Sequence, residues 1–326
     1  MTSRRLLFVC YPDTNHPIGG VKQIYRQVEL LNKAGWEAFV LQEQPGFRAD
    51  WFNSDAPVLD LEAFKASGPS ANNDLVVLPE TWLANVPSYL PGIPKVIFNQ
   101  NAFYSFGLSG ACDNRTLDLY RHGDIQAVVT VSNDSRDLLV EGCGIPAERC
   151  FALINGIDRQ LFHAPAVKHR RVVFLGRKHV DHARKVALMA NQHPKLKNLS
   201  FQELPRVQHE QVASALQEAL VFLSCGNPEG FGLPLAEAIA CGCLVVGYHG
   251  LAGRDFALPH MQVVEFGDLL GLLKGIEHEL DRFDASPDEV IQERLAASNA
   301  ILQTYSLEAE RDCCLRTWAK ICPSSP

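Results

Sequence analysis

Residues 219–248, ALVFLSCGNPEGFGLPLAEAIACGCLVVGY, read as strand, glycine-rich loop, helix and strand. The run 219–225 is short and almost wholly apolar, as expected of a parallel strand covered on both faces. Pro234 suits a first helical turn and Gly242 suits a helix end. Between them Leu235, Ala238 and Ile239 share one face and can pack on a sheet. Glu237 follows Leu235 by two positions, about 200° around the helix at ~100° per residue, so it is expected to point away from that stripe. Glu229, Gly230, Phe231 and Gly232 then lie at the carboxyl end of a strand, where open parallel sheets bind ligands. The two glycines permit close backbone approach, and amides at a helix start suit phosphate or sugar oxygens. A carboxylate on each side of that turn can accept hydrogen bonds from ligand hydroxyls.

The same alternation extends in both directions. RVVFLG (171–176), SFQEL (200–204), CLVVGY (243–248) and QVVEF (262–266) read as further strands with helices between them. Upstream, RLLFVCY (5–11), EAFVLQ (37–42), DLVVLPE (74–80), KVIFNQN (95–101) and AVVTVSN (127–133) form an equivalent series. Val21, Ile24, Val28 and Leu31 mark a helix that stops at Gly35, and Asp137–Val140 a second. FALINGID (151–158) closes this half, and residues 159–171 break the pattern as a linker. Repeated strand–helix–strand units with short connections imply parallel sheets with helices on both faces. The expected fold is therefore α/β, with two Rossmann-like doubly wound domains over 1–160 and 161–305. A helix over Leu307–Ile321 and a disordered Pro-Ser-Ser-Pro tail complete the chain.

Composition narrows the function classes. At 326 residues and 47% hydrophobic, each half can bury its own core. No apolar run approaches the ~18 to 20 residues of a transmembrane helix, and the short run at 6–9 reads as a buried strand, not a signal peptide. The net charge is −7, with an acidic surplus in each half, which argues against a nucleic-acid partner and against docking on anionic lipid. Ten cysteines without a Cys-x-x-Cys unit read as reduced thiols of a cytoplasmic protein, not a disulfide framework.

The string EGFGLPLAEA, with Glu229 and Glu237 separated by seven residues, resembles the signature of retaining GT-B glycosyltransferases, and in detail the bacterial "glycosyl transferases group 1" family. Pro17-Ile18-Gly19-Gly20 resembles that family's glycine loop after the first strand. Ile154-Asn155-Gly156-Ile157-Asp158 resembles the motif preceding the second domain, and VVFLGRK the strand whose following basic residues hold the donor pyrophosphate. The final helix, 306–326 with its tail, resembles the one that crosses back to the first domain.

The resemblance implies transfer of a sugar from a nucleoside-diphosphate sugar to a hydroxyl of a glycan or glycoconjugate, with retention and without metal or other cofactor. Glu229 would bind hydroxyls of the transferred sugar, helped by backbone amides around Phe231, Gly232 and Leu233. Glu237 would bind the ribose, while Arg177 and Lys178 would neutralise the diphosphate. Gly19 and Gly20 would lie across the cleft, near phosphate and acceptor. Many relatives place a second basic residue five positions after the arginine, where this chain has His182; Arg184 and Lys185 are alternatives to Lys178. Where relatives carry a histidine in the first domain, this chain reads Phe98-Asn99-Gln100-Asn101, so an amide substitutes on the acceptor side. Glu80 either faces the cleft or caps the next helix, and His249 and Arg254 follow a cleft-edge strand.

The segment His179-Val180-Asp181-His182 has a metal-like composition, but its spacing fits poorly on one helical face, so these are expected as surface residues. No Asp-x-Asp triplet occurs anywhere in the sequence. The rival readings are an epimerase or phosphorylase on the same fold, distinguished by acceptor-free interconversion, and a silent nucleotide- or glycan-binding domain, distinguished by the absence of donor hydrolysis.

Overall fold

The computed structural model describes residues 4–10, 18–107, 114–205 and 207–323. Two compact units divide the chain, one comprising Met1–Asn155 and Glu310–Pro326, the other Gly156–Ala309. The first unit holds β1 Arg5–Val9, β2 Ala38–Gln42, β3 Val58–Asp60, β4 Asp74–Pro79, β5 Lys95–Asn99, β6 Ile125–Thr130 and β7 Cys150–Ala152. They lie in the order β3-β2-β1-β4-β5-β6-β7, every pair parallel. The second unit holds β8 His169–Leu175, β9 Ser200–Leu204, β10 Ala219–Ser224, β11 Leu244–Gly247 and β12 Met261–Val263. Their order is β12-β11-β10-β8-β9, again all parallel. Both units are α/β parallel sheets, as the alternation predicts.

Helices cover these sheets, which explains the continuous apolar runs. Strands β4, β5, β10 and β11 are buried along their whole length. In the second unit Val172 and Phe174 of β8, Leu223 of β10 and Val246 of β11 share one core with Ala183 and Val186 of the helix Val180–Ala190. Leu272 and Ile276 of the helix Leu269–Ala285 join the same cluster. In the first unit Val21, Ile24, Val28 and Leu31 are buried on the helix Gly19–Lys33, and Gly35 after it takes φ 84°.

The helix Leu307–Ile321 supplies part of the first unit's interior from its Glu310 onward. Trp318 is fully buried and meets Phe8 of β1 edge-on at 5.2 Å. The buried Glu310 carboxylate accepts a hydrogen bond from Arg26, and Cys314 Sγ donates to Gln27 Oε1 at 3.1 Å.

Three details differ from the pattern-based reading. Strand β3 is only three residues long, too short to show a period, and is added by pairing Val58 with Val40. Strand β8 begins at His169, inside the expected linker, because its first residues are exposed and polar. The helix expected over Asp137–Val140 starts earlier, at Asn133, where Ser132 Oγ accepts from Ser135 N at 3.1 Å; Leu138–Gly142 continue it as a π-turn. The loop 11–17 and residues 324–326 of the tail lie outside the described residues. Among the described residues nine cysteines are free thiols, and no helix is long and apolar enough to cross a membrane.

Candidate functional site

In the second sheet the winding reverses between β8 and β10, since the chain builds outward from that pair in both directions. Connections leaving the two strands diverge there and open a crevice at their carboxyl ends. Three loops contribute to the lining: Arg177 and Lys178 after β8, Cys225, Gly226, Glu229 and Gly232 after β10, and Tyr248 to Gly250 after β11.

Backbone contacts fix the loop that carries Glu229. Glu229 N donates to Gly250 O at 2.8 Å. Gly250 has φ +67°, and a Cβ there would stand 2.9 Å from Gly226 O, so a side chain would force the two loops apart. Gly232 has φ +91° and forms the N-cap of the helix Leu233–Ala240, which Pro234 starts. Phe231 is buried between Phe256 and Tyr305, with ring centroids 5.1 and 5.3 Å away. Its ring therefore anchors the loop, and only its backbone is left to meet a ligand.

The crevice holds a cation beside a carboxylate. Lys178 Nζ donates to Glu229 Oε2 at 3.0 Å and also to Pro228 O. Both side chains remain partly exposed, 23% for Lys178 and 18% for Glu229. Arg177 is exposed, and among the described residues its guanidinium has no hydrogen-bond or ion-pair partner. The alternative cations are engaged elsewhere: Arg184 forms a bidentate pair with Glu203 at 2.7 Å, and Lys185 bonds Asp181 at 2.8 Å. His249 lines the crevice while its Nδ1 accepts from Leu251 N at 3.0 Å.

Glu237 corrects the expectation of an outward-facing acid. Every residue from Leu235 to Ala240 is buried, Glu237 included at 4% exposure. The far side of this helix is covered by the helix Pro287–Thr304, whose Ser298 Oγ donates to Ala240 O. The Glu237 carboxylate is met by His209 Nε2 at 2.9 Å, and the His209 ring stands edge-on to Phe162 at 5.0 Å. Nothing local in the sequence connects residues 209 and 237.

In the first unit Gln100 Nε2 donates to Gly20 O at 3.2 Å, tying the loop after β5 to the start of the Gly19–Lys33 helix. Glu80 is buried and accepts from Gln100 N at 3.0 Å; it is the first residue of a 3-10 turn, and its carboxyl also interacts with the backbone N–H groups of Asn101 and of Glu80 itself. Burial pushes its carboxyl up to about 7. Asn101 Oδ1 accepts from Phe103 N at 3.2 Å. Asn99 is corrected as an acceptor contact: it is fully buried and donates to Ser105 Oγ at 2.9 Å and Tyr120 OH at 2.7 Å. Gly19 is exposed.

His179, Asp181 and His182 are brought together, against the expectation from helical spacing. His179 precedes the helix Val180–Ala190 in a left-handed conformation, φ 51°, which folds its ring back onto His182 at 5.3 Å. One ring nitrogen of each histidine and one Asp181 oxygen lie within 4.8 Å of one another. The spacing rule failed because His179 is not a helical residue.

Residues 156–255, which lie within the second unit, match the model of the family described as Glycosyl transferases group 1. An alpha-1,6-glucosyltransferase from Actinobacillus pleuropneumoniae serotype 7 (strain AP76) is 24% identical over 192 residues, which is 55% of this chain and 54% of that protein. The match thus spans about half the length of that relative. Among solved structures, a sucrose-phosphate synthase from Thermosynechococcus elongatus matches with TM-score 0.75 and 16% identity, covering 99% of this chain and 100% of that one. Anabaena HepE in complex with UDP and glucose matches with TM-score 0.72 and 15% identity, over 97% and 99%. A glycosyltransferase from Rickettsia africae ESF-5 gives 0.69 and 14%, over the whole of both chains. At these identities the likeness establishes the fold, which is GT-B.

Proposed function

We propose that this chain, whose residues 156–255 match the Glycosyl transferases group 1 family, moves a sugar from a nucleoside-diphosphate sugar to a hydroxyl of a glycan or glycoconjugate, with retention and without metal assistance. The observation that carries the reading is the Lys178–Glu229 pair at the reversal point of the second sheet. Two charges that partner each other in the free protein match the two ends of the bond to be broken. On donor entry Lys178 turns from Glu229 to the diphosphate, and Arg177 supplies a second cation. Both then stabilise the negative charge that develops on the departing phosphate oxygens. Glu229, released, accepts hydrogen bonds from the sugar hydroxyls, together with the backbone amides of Gly230 to Leu233. Glu237 receives the ribose hydroxyls with the oxygen that His209 leaves open. Departure and attack share one face of an oxocarbenium-like centre, which keeps the anomeric configuration.

The test is incubation of the purified protein with a panel of nucleoside-diphosphate sugars, uridine compounds first because Anabaena HepE was solved with UDP-glucose. Release of nucleoside diphosphate and an α-linked product from an α-linked donor, read from the anomeric proton coupling, is the expected result. Interconversion of free sugar nucleotides without acceptor would point to an epimerase instead. Tight nucleotide binding with neither transfer nor hydrolysis would leave only a binding domain.

A further inference from the structure

We infer that His179, Asp181 and His182 form a transition-metal site, with zinc as its preferred ion. Both imidazoles are held in the manner of metal ligands, which usually donate their second ring N–H to a fixed acceptor. His179 Nε2 lies 2.9 Å from Asn227 O. A carbonyl only accepts, so this nitrogen carries the proton and Nδ1 keeps a lone pair. His182 Nδ1 lies 2.9 Å from Tyr248 OH, which itself accepts from Gly267 N at 3.0 Å. With Nδ1–H donating to the phenol oxygen, His182 Nε2 keeps its lone pair and sits 4.0 Å from Asp181 Oδ2.

Ring packing holds the same arrangement. Phe266 stands edge-on to His179 at 4.8 Å, and the two imidazoles stack at 5.3 Å with 29° between their planes. Two imidazoles and one carboxylate are a borderline donor set, suited to Zn²⁺ and its neighbours in the transition series and not to Mg²⁺ or Ca²⁺. One ring nitrogen of each histidine and one Asp181 oxygen already lie within 4.8 Å of one another, against ~3.3 Å between ligands of a tetrahedral ion bound at ~2.0 Å. Asp181 closes that gap, because its side chain is 57% exposed and its bond to Lys185 is an exposed ion pair of small worth. The fourth position stays open to water. The filled site would staple the start of the Val180–Ala190 helix to the loop after β10 through Asn227, and to residue 267 through Tyr248. It is separate from the transfer reaction proposed above and does not rest on it.

The test is zinc titration of the chelator-stripped protein by calorimetry, with magnesium in parallel and Co²⁺ as spectroscopic probe. One equivalent of zinc should bind and raise the melting temperature, while magnesium does neither. Bound cobalt should show visible bands of a nitrogen–oxygen set without thiolate charge-transfer absorption. Asp181→Asn and His182→Gln should each weaken zinc at least 10-fold, and Tyr248→Phe about 10- to 100-fold through the lost ring orientation. Asp181→Asn is a surface change, so it keeps the test valid if the histidine variant misfolds. Unchanged zinc affinity in Asp181→Asn, thiolate absorption with cobalt, or no zinc binding at all would each overturn the site.

Discussion

The imidazole of His209, at the start of the helix His209–Glu218, reaches Glu237 on the helix Leu233–Ala240, with 2.9 Å between Nε2 and Oε1. Among the described residues the second oxygen of that carboxylate has no hydrogen-bond partner. A buried carboxylate with one oxygen pinned and the other open is oriented before any ligand arrives. The pairing makes His209 a positioning residue for the ribose contact proposed for Glu237.

Glu237→Ala should lower affinity for the free nucleoside diphosphate and for the intact sugar nucleotide alike, by roughly 10- to 150-fold, the worth of hydrogen bonds to a charged group. It should also destabilise the protein by ~1 to 3 kcal/mol, because a buried partner of His209 is removed. His209→Ala should cost about 10-fold in both affinities without a separate effect on the sugar. Calorimetry with both ligands measures this; unaltered affinities in His209→Ala would remove its positioning role.

Glu229→Gln should leave diphosphate affinity intact or raised, because Lys178 is relieved of its partner. Turnover should fall at least 10-fold as sugar positioning is lost. Lys178→Ala should do the opposite to binding, weakening the diphosphate by roughly 10- to 100-fold. A loss of diphosphate affinity in Glu229→Gln equal to that in Lys178→Ala contradicts the division between sugar and phosphate.

Turnover should persist in excess EDTA, since Arg177 and Lys178 are assigned the charge that a metal carries elsewhere. Activity lost to chelator and restored by magnesium or manganese would refute that assignment. The histidine site proposed for zinc is read by direct binding, so the two outcomes are independent.

Glu80 gives a pH dependence with a definite sign. Its carboxyl sits at about 7 in the folded chain against 4.5 ordinarily, so the native state holds a proton that the unfolded state has released between those values. Its contribution to stability is complete below pH 4.5 and is lost as pH rises to about 7, by on the order of 3 kcal/mol. Glu80→Gln abolishes the titration while keeping an oxygen for Gln100 N. The stability of the variant relative to the parent should therefore rise between pH 4.5 and 7.5 in urea unfolding. A constant difference across that range would show that Glu80 does not titrate there.

The residues legible in the sequence were those whose position follows from strand grammar. An apolar run ending at Leu175 or Ser224 fixes which side chains reach the carboxyl edge, and so Arg177, Lys178 and Glu229 were found together. Glu237 was found but misplaced: the small side chains Ala236 and Ala240 do not look like a buried face, yet they let a second helix approach. His209 was invisible because only tertiary packing brings it to residue 237. The His179 cluster is a visible string whose helical spacing misleads, since one left-handed residue is not announced by a histidine. The loop assigned to the acceptor proved to be mostly internal bracing, with Asn99 spent on Ser105 and Tyr120.

The placement of Trp318 against Phe8 imposes an order on biosynthesis. Domains generally take shape from the amino end as they leave the ribosome, but here β1 waits for the helix Leu307–Ile321. Until residue 318 has been translated, the groove beside β1 lacks its indole, and the emerging half-finished chain carries that vacancy throughout the synthesis of the other unit. A chain cut short before residue 318 therefore loses cover at β1, some three hundred residues away from the lesion.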